Sequence, residues 1–172
     1  MPSSHNERMV KTILYATDLG LYGPFILEHV SELATCHHAK VVVVHAVEPL
    51  GVFADAVLEA YLPDDTKKDL KQHGLEEVLG MIRNQVKSAF SDDFIDYEGS
   101  VDWIADVRVI GGLPSDVILN EAEDCGADII VLGSHGGRSR RSTALGSVAS
   151  KVLQLAKVPV FLVPTSTQRT TR

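Results

Sequence analysis

KVVVVHAV (residues 40–47) is a nearly unbroken run of apolar, mostly β-branched residues with no polar alternation. Such a run marks a strand buried on both faces, the habit of parallel sheets covered by helices. Working outward, similar runs recur at VKTILYAT (10–17), DWIADVRVI (102–110), ADIIVLGS (127–134) and VPVFLV (158–163). Helical spacing fills the intervals. After Gly23-Pro24, with proline at a permitted first-turn position, Phe25, Ile26, His29, Val30, Leu33 and Ala34 recur every three or four residues. A longer helix is predicted over 64–89, with an apolar stripe of Leu70, Leu75, Val78, Leu79, Ile82, Val86 and Phe90, weakened by Gly74 and Gly80. Another starts near Pro114 and turns Val117, Ile118, Ala122 and Cys125 inward, with Asp116 in the first turn, where the helix dipole favours an acid. The last covers 146–156, with Val148, Ala149, Val152, Leu153 and Ala156 inward. The order βαβαβαβαβ predicts an α/β protein with one doubly wound, Rossmann-like parallel sheet and right-handed crossovers that put helices on both faces.

The chain has 172 residues, 45% hydrophobic and 23% charged, which suits one domain with a sizeable core. No apolar run reaches the roughly 18 residues needed to cross a bilayer. The start, MPSSHNERM, has no apolar stretch of the secretory kind, and Cys36 and Cys125 are too few for a disulfide framework. A cytoplasmic setting is therefore expected. Residues 1–9 read as a flexible segment, 10–164 as the domain, and 165–172, TSTQRTTR, as a polar, disordered tail. Residues 48–62, punctuated by Pro49 and Gly51, read as a connection, and the acidic stretch SDDFIDYEGSVD (91–102) as a surface loop. The two cysteines are expected in or near the core, and metal binding by His37-His38 has little to support it.

The net charge of −7 argues against nucleic-acid binding by the whole surface. It hides an asymmetry. Residues 1–128 hold all 23 acids, whereas 129–172 hold none and carry Arg138, Arg140, Arg141, Lys151, Lys157, Arg169 and Arg172. Either this is chance and a basic tail, or this third of the chain meets an anion.

GSHGGRSRRSTALGSV (133–148) carries most of the chemical signal. It follows a buried strand and ends where a helix begins. Gly133 and Gly136, lacking a Cβ, let backbone approach a ligand closely. Gly146-Ser147 stands at a helix N-terminus, where free N–H groups and the dipole suit a phosphate. Three arginines and the hydroxyls of Ser134, Ser139, Ser142, Thr143 and Ser147 add donors. An ordinary glycine-rich loop remains the alternative. The segment is neither a Walker loop nor a GxGxxG dinucleotide fingerprint.

The spacing Gly133-x2-Gly136-x9-Gly146-Ser147 resembles the ATP-binding motif of the universal stress protein family, in which Ser or Thr follows the third glycine. ILYATD (13–18), VVVVHAVE (41–48) and VPVFLVP (158–164) are similar to its first, second and last strands. The resemblance implies a five-stranded parallel sheet in the order 3-2-1-4-5. The ends of strands one and four then mark one crevice at the point where the chain reverses direction. It also implies an adenine pocket drawing on Ala16, Asp18, Ala46 and Leu132. Ribose and phosphates would meet Gly133, His135, Gly136, Gly146, Ser147 and Val148, and Thr17 and Arg138 complete the set. Ala16 stands where the family often has proline, and Ala46 where it often has valine. Asp18 either contacts the ligand or caps a turn. No catalytic residue is assigned, because His135 has no carboxylate near it in sequence to orient it. The expected cofactor is ATP or another adenine nucleotide, with Mg or Mn held by Asp18 and the phosphates. The expected assembly is a homodimer through the 158–163 strand, working as a nucleotide-sensing regulator in the stress response. The alternatives are a slow ATP hydrolase or phosphotransferase, a cyclic AMP or AMP binder, and a nucleotide-free signalling dimer. Neither nucleic acid nor membrane insertion is expected.

Overall fold

The computed structural model describes residues 9–48, 102–136 and 144–165, together with Ala60, Gly80, Met81, Asn84 and Ser88. In chain order the elements are β1 (Thr12–Ala16), α1 (Gly23–His37), β2 (Lys40–Val47), β3 (Ile104–Gly111), α2 (Pro114–Asp124), β4 (Ile129–Gly133), α3 (Ser147–Leu155) and β5 (Val160–Val163). The sheet has five strands in the order β3-β2-β1-β4-β5, and every pair is parallel. This is the predicted fold class and strand order. Of the helix predicted over 64–89, Gly80, Met81, Asn84 and Ser88 are helical, and the rest lies outside the described residues, as does most of the 48–62 connection.

Alternate side chains on each strand point to opposite faces, and in this sequence both faces are apolar. Ile13, Tyr15, Val41, Val43, Val131 and Val163 pack with Ile26, Leu27, Val30 and Ala34 of α1. Leu14, Ala16, Val42, Val44, Ile130 and Leu132 pack with Val117, Ile118 and Ala122 of α2 and Ala149 and Val152 of α3. The unalternating strands are thus the physical cause of a sheet covered on both sides.

Several boundaries differ from expectation. A turn at Asp102 and Trp103 and a register shift between Val41 and Val42 delay the third strand to Ile104. β5 begins at Val160, not at residue 158: Pro159 has no N–H for the ladder, though its carbonyl accepts from Ile130 N at 3.0 Å. Cys36 is exposed rather than near the core, because the buried stripe of α1 runs through Ile26, Leu27, Val30 and Ala34 and leaves residue 36 on the outer side. Leu153 is also exposed, since α3 buries only Ala149 and Val152. Thr165 does not belong to a loose tail. It is 4% exposed and tied into the end of β4. β5 ends the sheet, with Phe161 partly exposed on it and tilted against His29 of α1.

Candidate functional site

β1 and β4 are neighbours, but the chain leaves β1 toward α1 on one face and β4 toward α3 on the other. Their carboxyl ends therefore part and open a crevice. A cavity of about 770 Å³ lies there, lined by Ala16, Thr17, Asp18, Ala46, Leu132, Gly133, His135, Gly136, Gly146, Ser147 and Val148. Every site residue expected from the sequence is brought together except Arg138, which, like Arg140 and Arg141, lies outside the described residues. His45 and Glu48, which were not among the expected residues, also line it, as does Ser134, which the sequence offered as a hydroxyl donor of the loop.

The wall on the β1 side is a turn built by its own side chains. Thr17 N donates to Val44 O at 3.0 Å, which holds the end of β1 against β2. Thr17 Oγ1 accepts from Leu19 N at 3.0 Å, and Asp18 Oδ1 accepts from Gly20 N at 2.9 Å. Leu19 takes the left-handed conformation, φ 56°, that this pair of short bonds imposes. Asp18 thus caps the turn, as one of the two sequence readings had it, while also facing the cavity. His45 Nδ1–H donates to Thr17 O at 2.9 Å and braces the same turn from β2. Below it Tyr15 is buried; its hydroxyl lies 3.4 Å from Gly23 O, and burial pushes its pKa up to about 12.

The opposite wall is the start of α3. Gly146, the N-cap, has no side chain to satisfy the first-turn N–H groups, and Ser147, Val148 and Ala149 line the cavity. Unsatisfied N–H groups and the positive end of the dipole make this wall receptive to an anion. At two of the three motif glycines a side chain would crowd the protein itself. A Cβ on Gly133 would stand 2.9 Å from Ile26 Cδ1 and 3.1 Å from Thr165 Cγ2, and one on Gly146 would stand 3.2 Å from Ser134 O. Gly133 lines the cavity, as the sequence reading expected, and its missing side chain also makes room for Ile26 and Thr165. Gly136 differs: among the described residues a Cβ there would meet Asp18 Oδ2, at 3.2 Å, and no backbone atom.

His135 is held on both ring nitrogens, by Ser134 Oγ at 2.8 Å on Nδ1 and by Ala144 O on Nε2. A carbonyl only accepts, so Nε2 carries a proton. The lysines of α3 and its C-terminal side are also engaged: Lys151 pairs with Asp116 and Lys157 with Glu123, each at 2.7 Å. Among the described residues no group of three His, Cys, Asp or Glu side chains is placed to hold a metal ion. Among the described residues the carboxylates that line the cavity are Asp18 and Glu48, and a divalent ion there would also draw on ligand oxygens.

No helix among the described residues is long and apolar enough to cross a membrane. Residues 9–164 match the universal stress protein family. A universal stress protein of Methanocaldococcus jannaschii is 28% identical over 163 residues, covering 90% of this chain and 95% of that one. One of Thermus aquaticus is 29% identical over 155 residues, covering 90% and 99%. The solved structure of the Methanocaldococcus jannaschii protein superposes with a TM-score of 0.62 at 26% identity, covering 93% of this chain and 99% of that one. A universal stress protein solved in complex with cyclic AMP has the same fold, with a TM-score of 0.51 at 21% identity, covering 92% and 99%. By the family match over nearly its whole length, the chain belongs to the universal stress protein family.

Proposed function

We propose that this protein is a cytoplasmic regulator that binds an adenine nucleotide, with ATP as first choice, in the crevice between β1 and α3, and that it works as a homodimer. The observation that carries this reading is the pairing of opposite walls in one cavity: an acceptor, Asp18, on one side and the N–H groups of α3 on the other. An anion alone is repelled by Asp18. The arrangement suits a ligand that donates hydrogen bonds at one end and carries phosphates at the other. The small side chains of Ala16 and Ala46 and the apolar Leu132 leave room for a flat base. Gly136, with Gly146, Ser147 and Val148, receives the phosphates, and Arg138, two residues after Gly136 in sequence, adds positive charge. A bound Mg or Mn ion screens the phosphate charge next to Asp18. His135, engaged on both nitrogens, supports binding over turnover.

The outer edge of β5, unpaired among the described residues and with Phe161 exposed on it, supports pairing with a second copy, since an apolar edge is otherwise open to aggregation. The test is native mass spectrometry of protein purified without added nucleotide, followed by calorimetry with ATP, AMP and cyclic AMP. A dimer carrying adenine nucleotide is expected, together with loss of ATP binding in folded Gly136→Val. Unchanged affinity in that variant overturns the site assignment.

A further inference from the structure

Thr165 is a short polar side chain buried just past the edge strand, 31 residues from its partner Ser134. Its Oγ1 accepts from His135 N at 3.0 Å and donates to His135 O at 3.1 Å. One hydroxyl thus clamps both the N–H and the C=O of a single residue, as a neighbouring strand would. Its own N–H donates to Ser134 Oγ at 2.9 Å, and Ser134 N donates to Val163 O at 2.8 Å, so the end of β4 is tied to the end of β5 through both backbone and side chains.

The clamped pair in turn holds α3. Ser134 O accepts from Gly146 N, the N-cap, at 3.0 Å, and the His135 ring donates to Ala144 O, two residues earlier. The proton order is consistent throughout. The hydrogen of Thr165 Oγ1 goes to His135 O, that of Ser134 Oγ to His135 Nδ1 across 2.8 Å, and that of Nε2 to Ala144 O. Each buried donor has an acceptor, and the protein leaves no buried side-chain polar atom unpaired among the described residues. The ring of His135 and the carbonyl of Ser134 are two attachment points on either side of Leu145, and together they fix where the first turn of α3 faces the cavity.

We propose that Thr165 is a positioning residue for the anion-facing end of α3: through Ser134 and His135 it sets the place of the N–H groups that meet the phosphates. The proposal rests on the nucleotide reading above. It distinguishes the hydroxyl of Thr165 from its methyl, which packs on Gly133.

The experiment compares wild type, Thr165→Val, which keeps the shape and removes the hydroxyl, and Thr165→Ser, which keeps the hydroxyl and removes the methyl. ATP and adenosine are titrated against each, and amide hydrogen exchange is followed over residues 144–148. Thr165→Val is expected to weaken ATP by about tenfold, the equivalent of 1.4 kcal/mol, to leave adenosine unchanged, and to speed exchange at the start of α3. Thr165→Ser is expected to restore the ratio of ATP to adenosine affinity. Thr165→Ala replaces Thr165→Val if the latter does not fold. An unchanged affinity ratio with unchanged exchange overturns the proposal. So does equal damage in Thr165→Ser and Thr165→Val, which would assign the effect to packing. If wild type binds neither ligand, the nucleotide reading fails, and the exchange rates still decide whether the hydroxyl places α3.

Discussion

Adding a methyl group to Gly133 and to Gly136 is expected to damage the protein in opposite ways. On Gly133 the new Cβ would lie 2.9 Å from Ile26 Cδ1 and 3.1 Å from Thr165 Cγ2. Ile26 and Thr165 are both buried, so each has little room to withdraw. Overpacking of this kind costs about 2 kcal/mol, or roughly 4–8 °C of Tm for a chain of this size. On Gly136 the new Cβ would meet, among the described residues, the Asp18 carboxylate at 3.2 Å, and the backbone there is not in the left-handed region. Gly136→Ala is therefore expected to change stability by no more than about 0.5 kcal/mol while weakening ATP. Differential scanning calorimetry of both variants, with ATP titrations of each, separates the two effects. A Gly133→Ala protein as stable as wild type, or a Gly136→Ala protein as unstable as Gly133→Ala, would refute this division of the motif into packing and ligand glycines.

Further outcomes follow from the same structure. Tyr15 is held protonated to about pH 12 in the folded state against 10.0 as the ordinary value, so the folded chain keeps a proton that the unfolded chain loses. Stability should then fall as pH rises through that window, by at most about 2–3 kcal/mol, and alkaline unfolding of Tyr15→Phe should lack this component. Phe161→Asp, on the exposed side of β5, should give a folded monomer in sedimentation, whereas Leu162→Asp, whose side chain packs against the α2 and α3 cluster, should destabilise the domain itself. A wild type that sediments as a clean monomer at micromolar concentration removes the dimer. ATP affinity should fall more steeply with salt than adenosine affinity if Arg138, Arg140 and Arg141 contribute charge to the site, since salt screens such charge; equal slopes would remove those arginines from the site.

The fold was legible because its cause is local. Val41 to Val44 are apolar at every position, so two faces must be covered whatever the rest of the chain does. Pro24 and Pro114 mark helix starts for an equally local reason, the fixed backbone of the ring. The strand order came instead from the likeness of the glycine spacing and the strand ends to a known family. What escaped the sequence depends on contacts between distant segments. Thr165 looks like one more residue of a polar tail until β5 brings it beside Ser134, and nothing near it in sequence distinguishes it from Thr167. His45 stood in a quoted strand, but its bond to Thr17 O requires the pairing of β1 with β2. The glycines were found by spacing, yet spacing alone does not say whether a missing Cβ makes room for a ligand or for Ile26.

The charge asymmetry of the sequence has a second meaning once the elements are packed. α2 supplies Asp116 and Glu123 to Lys151 and Lys157, so the acid-free third lies against helical acids that precede it in the chain. Arg108, earlier in the chain, is met by Asp106, Glu121 and Asp124, and these carboxylates raise its pKa further. The lysines near α3 are therefore already answered by protein. Among the described residues, the uncapped N–H groups of α3 are left to attract an anion to the crevice, and the proposed site adds Arg138, Arg140 and Arg141 to them. These two sources act differently. On that reading the amides, held by the Ser134–His135 clamp, select geometry, while Arg138, Arg140 and Arg141 contribute charge that salt can screen. On the proposed reading, specificity for phosphates would rest on the backbone at Gly146 to Val148 and the low-salt part of the affinity on Arg138, Arg140 and Arg141, which is why the clamp and the arginines call for separate experiments.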